Sequence, residues 1–262
     1  MTRLLPALAV ASMIGVGEGC VQPECAGSDS EYTSMMTDMW GAQGVFNEQK
    51  DGSHGFEGFS YWNKNPTVHV KLNPILEEAV AKSIEKFNVL LASDNLPTVD
   101  LSLSGDYDDF QIDLSEDLPE IAKRVKPGDI LVASVDLEHF DEPDEPGDTR
   151  GLSSATTSLV REDCLSTIIQ SVAIVTNPSS YEGVDQWTVD HEIGHALGLG
   201  HALEWGLLMY KYRSEEVLSP DPNAEGMGLH CAYHAWDDPE TCLNRTFTLS
   251  DGQVVDMRNV EE

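Results

Sequence analysis

The residues best suited to chemistry lie in one stretch, His191-Glu192-Ile193-Gly194-His195-Ala196-Leu197-Gly198-Leu199-Gly200-His201. On a helix, residues four apart share a face, so His191 and His195 can offer two imidazole nitrogens to one metal ion. Glu192 follows the first histidine, where its carboxylate can reach a water at the metal without being a ligand. Gly198 can take positive φ without steric cost. The turn it permits would bring His201 round as a third nitrogen. Three protein ligands and one open position make a catalytic zinc site, with Glu192 as general base for hydrolysis. Three His, one Glu and one Gly at these offsets would occur by chance in roughly one in 10⁵ chains. That frequency disfavours an amphipathic core helix that merely carries polar residues. Met209, in Leu207-Leu208-Met209-Tyr210, stands where the long form of this motif places a methionine turn beneath the metal.

Together these residues, from His191 through Met209 to Tyr212, resemble the active-site region of the metzincins. The likeness is greatest to the matrixins (the matrix metalloproteinase-like family) of bacterial type. Gly198-Leu199-Gly200 before His201, the spacing to Met209 and Leu208-Met209-Tyr210 carry it. The resemblance is strong over residues 184–212 and rests on element order alone over 61–183. It implies an α+β, zincin-like catalytic domain: a twisted, mostly parallel sheet, an edge strand along the cleft and an active-site helix. It also implies one catalytic Zn²⁺ on His191, His195 and His201, a Met-turn at Met209, and a monomer that cuts proteins or peptides bound extended. Tyr210-Lys211 departs from the Tyr-Pro usual in matrixins, which leaves open the wall of the pocket formed by residues 210–213. Astacins and serralysins carry a tyrosine two residues after the methionine, where this chain has Lys211. Residues 151–156 fall where matrixins place their edge strand, so Leu152, Ser153 and Ser154 are candidates to pair with substrate backbone.

The loop over residues 138–155 resembles the one that holds a second, structural zinc in matrixins, with His139 and Asp141 as ligands. Ser154 and Ala173 stand near the remaining ligand places, and two ligands cannot close a tetrahedral site. Asp141, Glu142, Asp144, Glu145 and Asp148 could take Ca²⁺ instead. A solvated acidic loop is the simpler expectation.

The elements that must position the motif are legible by periodicity. Residues 67–72 alternate, with Val68, Val70 and Leu72 on one face of a strand and His69 on the other, expected at the surface. Pro74 opens a helix to about Leu91, with Ile75, Leu76, Ala79, Val80, Ile84, Phe87 and Leu91 at helical spacing. Residues 99–103, 130–133 and 170–175 read as further strands. The motif helix should begin at residues 183–186 and end at Leu197. Asp190, just before the first ligand, is expected to be an exposed carboxylate. A later helix is expected from Leu218-Ser219-Pro220 through Met227, Leu229 and Tyr233. It carries His230 and His234 four apart, but no third ligand is evident and surface histidines are expected. Residues 246–249 and 253–255, around Ser250-Asp251-Gly252, suggest a hairpin.

Composition bounds the remainder. Of 262 residues, 40% are hydrophobic, ample for one domain's core. The 46 acidic against 15 basic residues give a formal charge of −31, which disfavours nucleic acid and anionic lipid as partners. Residues 1–19 read as an export signal, with Arg3 before an apolar run too short to span a bilayer. The sequence before Cys20 resembles a degenerate lipoprotein cleavage box, so Cys20 is a lipidation candidate and the membrane a partner only through that anchor. With Cys20 set aside, Cys25, Cys164, Cys231 and Cys242 can form two bridges in three connectivities, of which Cys231–Cys242 with Cys25–Cys164 is favoured. Around Cys25 the Pro-Arg-Cys-Gly pattern of a matrixin latency segment is absent. Residues 20–60 read as an extension or tether, 61–235 as the catalytic domain, and 236–262 as a tail or hairpin. The expectation is an extracytoplasmic zinc endopeptidase, secreted or lipid-anchored; the alternative is a catalytically silent zinc-binding module at the cell surface.

Overall fold

The computed structural model describes residues 33–36, 41–42, 44–48, 54–71, 73–113, 116–135, 151–159, 166–176, 185–202, 204–210, 219–235, 237–248 and 254–257. Residues 1–19, read as an export signal, Cys20, Cys25, Cys164, the loop with His139 and Asp141, residues 211–213, expected to line the pocket, and the turn at 250–252 lie outside them. In chain order the elements are β1 (Thr33–Met36), β2 (Gly44–Glu48), β3 (His54–Tyr61), β4 (Thr67–Val70), α1 (Pro74–Ser93), β5 (Asp100–Ser102), α2 (Leu118–Arg124) and β6 (Asp129–Ser134). There follow β7 (Gly151–Leu159), β8 (Ser166–Thr176), α3 (Gln186–Ala196), α4 (Glu225–His234), α5 (Pro239–Cys242), β9 (Thr246–Thr248) and β10 (Val254–Asp256).

The main sheet runs β1-β2-β3-β8-β6-β4-β5, with β7 paired to β8. The four pairings from β3 through β5 are parallel, whereas β1-β2-β3 and β7–β8 are antiparallel. This is a mixed α/β architecture on a mostly parallel sheet. Among the described residues β7 has no strand on its outer side, which makes it an edge. β9 and β10 pair antiparallel as a separate small sheet.

Helices cover both faces of the central strands, and for that reason Ile130-Leu131-Val132-Ala133 and Val172-Ala173-Ile174-Val175 are buried without alternation. Ile130, Val132, Val172 and Ile174 meet α1 and α3, while Leu131, Ala173 and Val175 meet Ile121 and Ala122 of α2. α1 begins where Asn73 accepts from the Ile75 and Leu76 amides, both at 3.1 Å, with Pro74 in the first turn. Such a cap contributes about 1 kcal/mol. The helix buries Leu76, Val80, Phe87 and Leu91 completely.

Two expectations change here. Residues 33–60, within the stretch read as a tether, supply nearly all of three strands of the main sheet: β3 pairs parallel with β8, and Phe59 is wholly buried against Phe247 of β9. Their Gly- and Ser-rich composition gives no apolar alternation, and the strand that ties them to the rest of the sheet, β8, lies far along the chain. His69, expected at the surface, is 6% exposed. The segment before α2 covers its face of the sheet, placing its ring 4.9 Å from that of Tyr107 and its Nε2 3.5 Å from Asp129 Oδ2. Among the described residues no helix is long and apolar enough to cross a membrane.

Candidate metal centre

α3 carries His191 and His195 on one face, and its C-terminal turn delivers His201. The Gly198 amide donates to His195 O and the Leu199 amide to Gly194 O, each at 3.0 Å. This double bond pattern is a Schellman stop, in which the residue after the cap is left-handed. Gly198 has φ +98°, and a side chain there would overlap the Ser60 carbonyl. The same turn aims Leu199 O at His195 Nδ1, 2.8 Å away, while Leu208 O lies 2.8 Å from His191 Nδ1. A carbonyl only accepts, so each Nδ1 carries the hydrogen and each Nε2 presents its lone pair. The two Nε2 atoms lie 3.1 Å apart, and the His201 ring sits 5.3 Å from His191 and 4.8 Å from His195.

Burial, followed by the neighbouring His195 and His201, holds His191 well below the ordinary imidazole pKa; the bond to Leu208 opposes this. Burial likewise lowers His195, opposed by Leu199 O. Both rings are therefore neutral donors at pH 7. One ligand atom from each of His191, His195 and His201 lies within 4.8 Å of the others, a group that could hold a metal ion. Three imidazole rings so placed suit a divalent transition metal.

Glu192 is the other half of the site. It is 5% exposed, and burial pushes its pKa up to about 8 against a hydrogen bond from Ser153. Its Oε2 is buried and has no hydrogen-bond partner among the described residues. A side chain at Gly151 would strike Glu192 and Thr188, so β7 can run this close only with glycine there. Of the edge-strand candidates, Ser153 reaches Glu192, Leu152 packs toward the α2 side of the sheet, and Ser154 is the register partner of Ala173.

Compared with protein-family models and with curated proteins, the chain matches none. The site therefore stands on its own geometry and on the residues that hold it.

Three of those supports escaped the sequence reading. Asp190, expected exposed, is 1% exposed, because α3 docks this side of itself on α1. Its carboxylate accepts from Ser83 Oγ, from Gln186 Nε2 at 2.9 Å and from Lys86 Nζ at 2.5 Å. Adjacency to His191 was the one signal it gave. Glu225 is fully buried and accepts from the Met209 amide at 2.9 Å and the Asp221 amide at 2.8 Å, fixing the turn beneath the histidines. α4 correspondingly starts at Glu225, later than expected, since residues 219–224 form the turn that presents the Asp221 amide. Gly194 admits Met209: a side chain there would collide with Met209 Sδ. Cys231 and Cys242 are joined by a disulfide, linking α4 to α5 with Cα atoms 5.2 Å apart.

Proposed function

We propose that this protein is an exported zinc endopeptidase of the metzincin type, nearest in kind to the matrixins. The reading rests on one observation: three histidines whose ligand atoms lie within 4.8 Å of one another, beside a buried carboxylate whose Oε2 has no hydrogen-bond partner among the described residues. His191, His195 and His201 would hold the zinc. When bound, zinc supplies Lewis acidity, bringing the pKa of water toward neutrality and polarising a peptide carbonyl. Glu192 then takes the proton of the attacking water at Oε2 and passes it to the nitrogen of the leaving amine. In the metal-free site burial keeps its proton affinity high, and the charge of a bound cation would lower it so that the carboxylate can accept and then return a proton.

Substrate recognition follows from the edge. A peptide added to the outer side of β7 would bond through its backbone, beside Glu192 and with little regard to side-chain identity. Extended or unfolded protein segments are the expected substrates of a monomeric enzyme. The apolar leader and the Cys231–Cys242 bridge favour an extracytoplasmic setting, secreted or anchored through Cys20.

The reading is tested by incubating the purified protein with a denatured protein mixture, with and without a chelator. Chelator-sensitive cleavage, restored by Zn²⁺, is expected. Intact substrate in every arm would leave the silent zinc-binding module as the better account.

A further inference from the structure

We propose that Asp94, His230 and His234 form a second divalent-metal site, structural in role, which ties the end of α1 to α4. His230 and His234 lie one turn apart on α4, with ring centroids 5.0 Å apart. The third ligand, invisible in the sequence, comes from the C-cap of α1: Asp94 Oδ2 lies 2.7 Å from His230 Nδ1 and 4.0 Å from His234 Nε2. One ligand atom from each of the three lies within 4.8 Å of the others. Ligand atoms about 2.0–2.2 Å from a tetrahedral zinc stand a little over 3 Å apart, so small side-chain rotations complete the triangle.

Two further carboxylates stand near the far nitrogens. His230 Nε2 faces Asp238 Oδ2 at 3.7 Å, and His234 Nδ1 faces Asp237 Oδ2 at 3.6 Å. These are ion-pair separations rather than hydrogen bonds, and they add negative charge around the two rings, which favours a cation there. On binding, the metal would take the place of the proton that His230 Nδ1 now donates to Asp94 Oδ2. The side chains are 24–35% exposed, leaving room for water to complete the shell. Two imidazoles and a carboxylate suit zinc or a related transition metal rather than Ca²⁺.

The site differs in purpose from the first. No buried carboxylate without a partner stands beside it among the described residues. α4 does hold Glu225, which fixes the Met209 turn, and Cys231, which is bridged to α5. A metal on His230 and His234 would clamp that helix to α1, and so steady the floor of the histidine centre.

The proposal does not depend on peptidase activity, and metal counting tests it. The purified protein, stripped with a chelator and dialysed against buffered Zn²⁺, should bind two equivalents. His230→Gln/His234→Gln should bind one, Asp94→Asn should hold its second equivalent at least ~10-fold more weakly, and His191→Ala/His195→Ala should keep one. In that last variant Zn²⁺ at ~100-fold excess over Kd should raise the melting temperature by roughly 5 °C or more. Circular dichroism checks that each variant is folded; if the double glutamine variant is not, Asp94→Asn carries the test. A single equivalent in the unsubstituted protein, lost with His191 and His195, would overturn the second site and leave the endopeptidase reading intact. A second equivalent that persists at undiminished affinity in folded variants of Asp94, His230 and His234 would overturn it too. Two equivalents without cleavage would uphold this site and count against the peptidase.

Discussion

The two histidine clusters begin alike and end differently. Each starts from a pair one turn apart, His191 and His195 on α3, His230 and His234 on α4. In the first, the third histidine comes from the same chain turn, both Nδ1 atoms are tied to backbone carbonyls, and Glu192 is buried alongside. In the second, the third group is a carboxylate from another helix, the outer nitrogens face surface carboxylates, and water has access. Spacing thus gives a pair of donors; what surrounds the pair decides whether it can do acid–base work or only hold two helices together. Low dielectric raises the proton affinity of Glu192, and no group in the α4 cluster has that environment.

The contrast can be broken at the turn that builds only the first cluster. Gly198→Ala forces a side chain into a left-handed position against the Ser60 carbonyl, so it should cost about 2–3 kcal/mol. The urea midpoint should fall with unchanged m-value, and the metal held by His191, His195 and His201 should weaken while that of the α4 cluster is kept. Unaltered stability would mean that the turn is looser than described.

A smaller effect sharpens it through pH. In the metal-free protein Glu192 titrates at about 8, against an ordinary 4.5. The folded state then binds more protons than the unfolded one across that interval, so stability declines as pH rises. His191 and His195, lowered from 6.5, act oppositely: the unfolded state binds their protons, and stability grows as pH climbs toward 6.5. Between about 4.5 and 6.5 the contributions oppose; between about 6.5 and 8 Glu192 is the shifted group among the described residues that sets the slope. Stability should fall there by at most ~1.4 kcal/mol per pH unit, and Glu192→Gln should flatten that limb. Equal slopes in the two proteins would show that the carboxylate is not buried as described.

How much of this the chain declares in one dimension depends on the range of the interaction. The clustering of His191, His195 and His201, the turn at Gly198 and the helix start at Pro74 are local: spacing and backbone preference express them, and they stand where the sequence suggests. Central strands β6 and β8 are legible because burial on both faces leaves apolar runs. The rest is written in pairs of residues distant along the chain. Asp190 looks like any helix-face carboxylate until Ser83 and Lys86 of α1 meet it, and Glu225 is unremarkable until the Met209 amide arrives. Strand β3 has no apolar alternation to announce a partner in β8. His230 and His234 lacked a third ligand only because Asp94 closes a helix in another part of the chain.

The most direct test of the central claim is Glu192→Gln, with metal content and cleavage measured on the same sample. Removing a general base should lower the rate of peptide cleavage by roughly 10²–10⁴-fold, because glutamine fills the same space but cannot take the proton. Zinc content should be unchanged, since His191, His195 and His201 remain. Undiminished cleavage by a variant that still binds zinc would contradict the account.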